Sequence, residues 1–481
     1  MEKRYLTLFV ITAILFLSFD LDFTGRSVRF AKQYTKVSEA EESTFGSLNI
    51  ISHKTSDGRS LILFKIPELT NIHNSQQITQ QQSTITIDFT PFDQYCSTTQ
   101  FVDPNQPITV NQDFVDINDR YVVWTHFNSL NPLYVNIRGY DLGTDKKFGT
   151  ADDNGPMNIL TNVLNLFGGS ALGNVYPRVN SNGLIAFVRG VIINITTNQY
   201  EIQLVMCNFS SCPSSMNIID TIPTAIFGPF WQPLGQFITH DINDNKLIVS
   251  ENDFIASVSK IVEYDLSTGT SQVIAQGPYP TFINPYTYWD LFIGENNLIS
   301  WVKIHAPSVT GLYDFFINLP NTINPILISS QPYLPILSGS PSVGLLQSST
   351  AYNFGLSNLL LYSTPENNLD YWDLKFKRYT NAISSIPFIN NDDKHQMYPR
   401  ITYHHILQTP MLVFSSFNSV SSYITTLIYD TTMNSFIDYK TILPPPNWRG
   451  FYNNEASNFN VISVVLPQSG SLYSRVVISE C

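Results

Sequence analysis

Charged residues are scarce in this 481-residue sequence. Asp, Glu, Lys and Arg together make up 13% of the chain, about half of the roughly 25% that is usual in soluble domains. The hydrophobic fraction is 43%, so the low charge does not indicate a disordered chain. The net charge is −12, and no basic cluster exceeds a pair of residues. We therefore expect no nucleic-acid partner, because such partners need patches of Lys and Arg.

Helical periodicity and catalytic motifs are also missing. After the N-terminal segment, no apolar stripe of helical period continues over several turns, so the pattern predicts strands. The Gly-x-Ser-x-Gly, P-loop, dinucleotide and zinc-ligand motifs are absent. His404 and His405 are neighbours on a predicted strand and point to opposite faces, so they would not hold one ion together. Sequence motifs therefore identify no catalytic residues, which stay unknown at this point.

A single long apolar run lies at the N-terminus. Two basic residues precede fourteen uncharged ones, from Leu6 to Phe19, which suits a signal peptide and falls short of the about 20 residues of a membrane span. We expect residues 1–25 to be a signal peptide or an uncleaved signal anchor, 26–45 a polar lead-in, and 46–481 one domain. The protein is then secreted, extracellular or at the cell surface, with no membrane contact beyond that segment.

Four cysteines fit an exported protein, in which an even count favours disulfides. We predict a bond between Cys207 and Cys212 and a second one between Cys96 and Cys481. Buried free thiols are the alternative. Asn194 and Asn208 each begin a glycosylation sequon, which predicts a glycoprotein.

One pattern recurs along most of the chain: a turn that is usually rich in Asn, Asp or Gly, followed by a triplet of apolar β-formers. The triplets begin at residues 62, 122, 185, 248, 299, 360, 412 and 462. A spacing of roughly 50 to 60 residues between short strands is typical of a β-propeller. We predict an all-β propeller of seven or eight four-stranded antiparallel blades. A long β-sandwich is the alternative.

Part of this repeat resembles a known family. Residues 176–187 read Tyr-Pro-Arg-Val-Asn-Ser-Asn-Gly-Leu-Ile-Ala-Phe, which is similar to the repeat of TolB-like β-propellers. Tyr398-Pro-Arg-Ile repeats the opening of that segment. The resemblance is weaker in 115–161 and 238–275 and faint beyond Pro278. It implies four-stranded blades around a central channel, but family members include both binding scaffolds and peptidase domains, so function stays open.

An acidic turn predicts a metal site. Residues 141–155 contain four carboxylates, from Asp141, Asp145, Asp152 and Asp153, among several glycines. Such a cluster repels itself unless a hard cation such as Ca²⁺ lies within it. The segment resembles a calcium-binding loop of secreted repeat proteins, with Lys146 in place of a glycine. We expect a structural calcium ion. A solvated acidic turn is the alternative.

Composition leads us to a function hypothesis with alternatives. The aromatic-rich, weakly charged loops favour a non-catalytic extracellular binding or scaffold protein with a protein or glycan ligand. The first alternative is a secreted hydrolase or lyase with acidic residues at the channel. Its candidates are Asp241, Asp244, Glu251 and Asp290. The second alternative is a structural component of a cell envelope or virion.

Overall fold

The computed structural model describes residues 37–45, 48–55, 60–65, 85–88, 99–106, 110–128, 134–164, 176–194, 196–197, 199–227, 230–278, 286–294, 296–305, 311–320, 322, 324–333, 349–354, 357–365, 372–380, 382–385, 395–404, 407–417, 422–430, 435–458, 460–467 and 474–480. The chain divides into two compact units, Met1–Tyr95 and Cys96–Cys481. Within the described ranges, no helix is long and apolar enough to cross a membrane. The predicted signal segment lies outside these ranges, and the domain boundary at residue 46 stays a prediction.

The first unit contains one antiparallel sheet whose strands follow chain order. The strands are β1 (Val37–Phe45), β2 (Leu48–Thr55), β3 (Ser60–Lys65) and β4 (Ile85–Asp88). The first predicted triplet, at residue 62, falls in β3. This unit therefore repeats the strand pattern of the rest of the chain.

The second unit begins with a two-residue strand and an eight-stranded sheet. Its strands are β5 (Gln100–Phe101), β6 (Val110–Ile117), β7 (Tyr121–Asn128), β8 (Tyr134–Asp141), β9 (Asn154–Leu164), β10 (Arg178–Val179), β11 (Leu184–Asn194), β12 (Gln199–Asn208) and β13 (Asn217–Ile222). Strands β6–β9 and β10–β13 form two halves of the large sheet. A single residue pair, Gly190 with Leu164, joins them. The halves therefore correspond to two successive blade-like groups.

A hairpin and five four-stranded sheets complete the described part of this unit. The hairpin is formed by β14 (Thr224–Phe227) and β15 (Phe230–Pro233). The next two sheets consist of β16 (Gly235–Ile242), β17 (Lys246–Asp253), β18 (Val258–Asp265) and β19 (Ser271–Pro278), then β20 (Tyr286–Ile293), β21 (Ile299–His305), β22 (Gly311–Asn318) and β23 (Ile326–Tyr333).

The remaining strands follow the same order. They are β24 (Ser349–Phe354), β25 (Ser357–Pro365), β26 (Trp372–Tyr379) and β27 (Ile383–Ser385), then β28 (His395–His404), β29 (Thr409–Phe417), β30 (Ser422–Asp430) and β31 (Ser435–Ile442), and finally β32 (Trp448–Ala456), β33 (Asn460–Pro467) and β34 (Arg475–Glu480), to which β5 is added.

The first strands of these groups form the inner ring of a β-propeller. Each contacts the next, in the order β6, β10, β16, β20, β24, β28 and β32, and β32 contacts β6 again. Two face-to-face sheets would not give this closed order of neighbours. The predicted all-β propeller is therefore confirmed and the sandwich alternative is excluded.

The recurring triplets lie on the second strand of each group. The triplets starting at Val122, Ile185, Ile248, Ile299, Leu360, Leu412 and Ile462 are almost fully buried on both strand faces. A strand covered on both faces has apolar residues in succession rather than in alternation. This sandwiching between neighbouring sheets is why the repeat is visible in the sequence.

The N-terminal strand of the second unit closes the ring. Strand β5 pairs with β34, with Phe101 opposite Val477. Val102 joins a buried apolar cluster that combines residues of β6–β8 with residues of β33 and β34. The Thr99 and Ser479 hydroxyls lie 3.1 Å apart. Cys96 and Cys481 lie outside the described residues, so the disulfide between them stays a prediction.

Candidate functional site

The acidic turn between β8 and β9 brings together three of the four predicted calcium ligands. One carboxylate oxygen from each of Asp145, Asp152 and Asp153 lies within 4.8 Å of the others. The hydroxyl oxygen of Thr150 lies 2.9 to 3.3 Å from one oxygen of each of the three carboxylates and can donate to one of them at a time. Oxygen ligands of this kind suit Ca²⁺. Asp141 instead forms an ion pair with Arg120, with Nε and Oδ1 2.6 Å apart.

Gly143 and Lys146 both have a left-handed backbone conformation in this turn. Gly143 has a φ of +71°, and a Cβ there would lie 2.2 Å from Oδ2 of Asp152. Lys146 also has a positive φ, of 58°, a conformation that favours glycine. Its ammonium group forms an ion pair with Asp119, with Nζ and Oδ2 2.6 Å apart.

The turn also contacts the last sheet of the ring. The backbone N–H of Phe148 donates to Oε1 of Glu480 over 2.9 Å. Asn460 donates to the carbonyl of Lys146, also over 2.9 Å. Because Glu480 and Asn460 belong to β34 and β33, the turn connects the first and last groups of the ring.

We predict that Ca²⁺ raises the melting temperature of metal-stripped protein by about 2–4 °C, a modest stabilisation for a large domain. Differential scanning calorimetry with and without EDTA measures it. Asp152→Asn should abolish the response. Asp265→Asn is the matched control, because Asp265 is also an exposed loop carboxylate whose hydrogen bonds lower its pKa to about 2. If calcium leaves wild-type stability unchanged, the acidic turn is only a solvated loop.

The predicted disulfide between Cys207 and Cys212 is present, with Cα atoms 5.4 Å apart. It closes a short loop after β12, in which the backbone N–H of Cys212 donates to the carbonyl of Asn208. Asn194 is exposed and Asn208 is partly exposed. Glycosylation at both positions stays a prediction.

A polar cavity of about 100 Å³ lies at the ends of the inner strands. Six of these strands each contribute a lining residue at an equivalent position of the repeat. Each of these residues is followed by an apolar residue or an alanine and then by a small or polar residue. The six equivalent residues are Asp116, Arg178, Asp241, Phe292, Arg400 and Glu455. The propeller thus converts equivalent positions in the repeat into neighbours around one cavity.

Local irregularities in the inner strands orient these side chains. The register shifts immediately before Asp116, Phe292, Arg400 and Glu455. Bulges of this kind redirect the side chains that follow them and are common beside active sites. Tyr398, two residues before Arg400, has a φ of 53°, which is unusual for a bulky residue. The strands therefore carry local strain beside the cavity.

Two arginines and two carboxylates form a buried ionic network in the cavity wall. Nη1 of Arg178 lies 2.7 Å from Oε1 of Glu455 and 3.2 Å from Oδ1 of Asp116. Arg400 donates from Nε and Nη2 to the two oxygens of Glu455. This is the bidentate arrangement that makes Arg–carboxylate pairs strong. Burial opposes ionisation of Glu455, but Arg400 and Arg178 outweigh it, so its pKa lies below the usual value.

Asp241 differs from the other carboxyl groups of the cavity because, among the described residues, it forms no ion pair. Its Oδ1 accepts the N–H of Ile242 over 3.0 Å and its Oδ2 accepts that of Ile293 over 2.8 Å. Among the described residues it has no side-chain hydrogen-bond partner. Burial raises its pKa to about 7, with Arg178 opposing the rise and Asp116 adding to it. Burial also raises the pKa of Asp116, although Arg178 limits the rise.

The other acids named from sequence do not line this cavity within the described structure. Asp244 is exposed and accepts the N–H of Ser181 over 3.0 Å. Glu251 forms an ion pair with Lys260. The side chain of Asp290 lies outside the described residues. Of the predicted set, Asp241 alone is among the lining residues.

Sequence reasoning missed Arg178, Arg400, Asp116 and Glu455 as site residues. Arg178 and Arg400 were visible in the repeated Tyr-Pro-Arg segments, but the interpretation used those segments for the fold alone. A comparison of equivalent positions, taken just before the turn that precedes each triplet, would have found all four.

No known protein family matches the sequence, and no curated protein matches it either. Among solved structures, the fold is similar to the β-propeller domain of the Trilobed protease from Pyrococcus furiosus, with 12% identity, a TM-score of 0.45, and coverage of 76% of this chain and 94% of the other. An oligogalacturonate lyase in complex with manganese gives 9% identity, a TM-score of 0.44, and coverage of 92% and 98%. The Pyrococcus horikoshii acylaminoacyl peptidase gives 12% identity and a TM-score of 0.41 over 76% of this chain; only 51% of the peptidase is covered.

The hypothesis of a non-catalytic binding or scaffold protein is wrong. The finding against it is the lining of the cavity at the ends of the inner strands. Four carboxyl groups line it, from Asp116, Asp119, Asp241 and Glu455, whereas a scaffold would have been consistent with uncharged polar and apolar groups there.

Proposed function

We propose that this protein is a hydrolase or lyase whose acid–base chemistry takes place in the cavity at the ends of the inner strands. The supporting observation is the convergence of Asp116, Asp241 and Glu455 on one polar cavity from three separate sheets. Folding brings these groups together at the cost of burying charge. Perturbed carboxyl groups in a cleft are the usual mark of an acid–base site.

Asp241 is the proton-transfer group in this proposal. A hydrolase protonates its leaving atom and takes a proton from water, and a lyase takes a proton from carbon and protonates its leaving atom. Both reactions need a group that carries a proton near neutral pH. Asp241 meets that requirement, because burial holds its pKa at about 7.

Asp116 is the second carboxyl group, and it accepts a proton in this scheme. Its pKa is raised by burial, which makes its carboxylate a stronger base than an exposed one. Glu455 stays ionised between the two guanidinium groups, because Arg400 and Arg178 stabilise its charge. Its role is to hold Arg178 against the cavity wall.

The finer features of the fold belong to the same proposal. We infer seven blades, one for each inner strand from β6 to β32, with β5 as the outermost strand of the last blade. The Tyr-Pro-Arg repeats support a TolB-like propeller. The N-terminal apolar run and the disulfide support export, with an extracellular polymer or peptide as the substrate source.

An activity panel tests the function. Purified protein is incubated with neutral and acidic polysaccharides and with blocked peptides near pH 6. New reducing ends or amines report hydrolysis, and the ultraviolet absorbance of a new conjugated double bond reports elimination. We expect turnover of at least one substrate that co-elutes with the folded protein and disappears on heat denaturation. Folded protein that turns over nothing in the panel would contradict the proposal.

A further inference from the structure

The two arginines of the cavity differ in how many of their donors are used. Arg400 directs Nε and Nη2 to Glu455, and its Nη1 donates to the carbonyl of Pro399 over 2.9 Å. Arg178 makes both of its hydrogen bonds through Nη1. Its Nε and Nη2 donate to no described residue, although the side chain lines the cavity and is only 17% exposed.

These two nitrogens form one edge of the guanidinium plane. Two parallel N–H groups on that edge match the two oxygens of a carboxylate. A cavity of about 100 Å³ is equivalent to roughly three water molecules at about 30 Å³ each, which suits a planar carboxylate better than a large headgroup. The unused edge is therefore a built recognition element for a small monoanion.

The charges around the cavity allow one added negative charge under a specific condition. The charged and titratable groups in its described wall are Asp116 on β6, Arg178 on β10, Asp241 on β16, Arg400 on β28 and Glu455 on β32, with Asp119, paired to Lys146, at the following turn. Two guanidinium groups balance Asp116 and Glu455, so the site is neutral when Asp241 carries a proton. A carboxylate is then admitted, and the Asp241 hydroxyl becomes a further donor beside it.

We propose that the substrate carries a carboxylate group, which binds the Nε–Nη2 edge of Arg178 next to Asp241. This inference rests on the proposed function and adds the chemical class of its substrate. Tetrahedral anions such as phosphate and sulfate do not fit as well, because the site offers one free guanidinium edge and two fixed carboxylates that repel a dianion. Binding weakens as the pH rises through the titration of Asp241, since two adjacent negative charges then compete for Arg178.

Ligand-observed NMR with acetate as the probe tests this assignment on the full-length protein. We expect saturable binding of acetate at pH 6, at least tenfold weaker binding at pH 8.5, and at least tenfold weaker binding of acetamide, which has the same shape without the charge. Sulfate, which is a dianion at this pH, should bind more weakly than acetate. Acetate that fails to bind, or sulfate that binds as tightly, would overturn the carboxylate assignment.

Paired substitutions locate the binding site. Arg178→Lys keeps the charge but removes the two-nitrogen edge, so acetate affinity should fall at least tenfold. Arg189→Lys makes the same change in an arginine that does not line the cavity and that donates Nε and Nη2 to Gln203, so affinity should stay within threefold. Equal losses in the two variants would refute a specific role of Arg178. The wild-type pH and acetamide measurements decide the question even if a variant unfolds.

The outcomes separate this inference from the proposed function. Turnover of an uncharged substrate, together with no acetate binding, would contradict the carboxylate assignment but not the proposed hydrolase or lyase activity. Acetate binding at Arg178 without turnover in the panel would support carboxylate binding and contradict the proposed activity.

Discussion

Replacement of Asp241 by Asn is expected to lower kcat by about 10²- to 10⁴-fold, the usual contribution of a positioned acid or base. Asn keeps the size of the side chain but carries no transferable proton. It also retains one of the two acceptor oxygens that bind the N–H groups of Ile242 and Ile293. Steady-state kinetics on the substrate found in the panel measures the effect, and circular dichroism checks that the fold persists.

The pH–rate profile strengthens this test. Because burial raises the pKa of Asp241 to about 7, the group is protonated below that pH and ionised above it. If it acts as the acid, wild-type activity falls as the pH rises through 7, and the variant loses that limb of the profile.

The matched control for this prediction is Asp244→Asn. Asp244 lies three residues further along the chain, is exposed, and binds Ser181 rather than lining the cavity. Its removal should leave kcat within about twofold, since surface changes outside a site have small effects. If the control loses as much activity as Asp241→Asn, or if the Asp241 variant keeps full activity, Asp241 is not the proton-transfer group.

Replacement of Glu455 by Gln is expected to destabilise the protein by about 3–5 kcal/mol, the cost of breaking a buried ion pair from one side. Glu455 is 5% exposed and is bonded to both Arg178 and Arg400. Gln removes the negative charge and leaves two buried guanidinium groups balanced by Asp116 alone. Denaturant unfolding measures the loss as a lower midpoint at an unchanged slope.

The dependence of the unfolding free energy on pH in the acid range tests this prediction further. The pKa of Glu455 is lower in the folded state than its usual 4.5, so its stabilising contribution is present above that pH and is lost as the pH falls below it. The difference in unfolding free energy between wild type and variant should therefore shrink in acid. Glu201→Gln is the control, because Glu201 is partly exposed and hydrogen-bonds Gln203 rather than bridging two arginines. A stability difference that stays constant from neutral pH into acid would contradict the network.

The fold was predictable because its signal is local and repeated. The triplets at Val122, Ile185 and Leu412 are buried on both faces, so each predicted its own strand, and their spacing predicted the propeller. The Cys207–Cys212 disulfide was predictable for the same reason, since its two residues are close in sequence. The acidic turn was recognised from the composition of residues 141–155, which again is a local property.

The candidate site was not predictable in the same way. Arg178 and Glu455 are 277 residues apart in sequence yet bond directly, and no local pattern indicates which inner strands become neighbours. The register shifts before Asp116, Arg400 and Glu455 also change which way a side chain points. Strand periodicity does not reveal such a shift. Asp241 was named because of its neighbours in sequence, whereas its raised pKa follows from burial, which only the assembled ring creates.

The pairing of β5 with β34 has a consequence for biosynthesis. Residues 100–101 are translated long before their partner strand at 475–480. During synthesis, β5 therefore stays unpaired while every other described sheet of the second unit is made from strands that emerge together. Unpaired strand edges are where chains associate wrongly. Chaperone demand and aggregation of nascent chains should thus persist until residues 475–480 have emerged and can pair with β5.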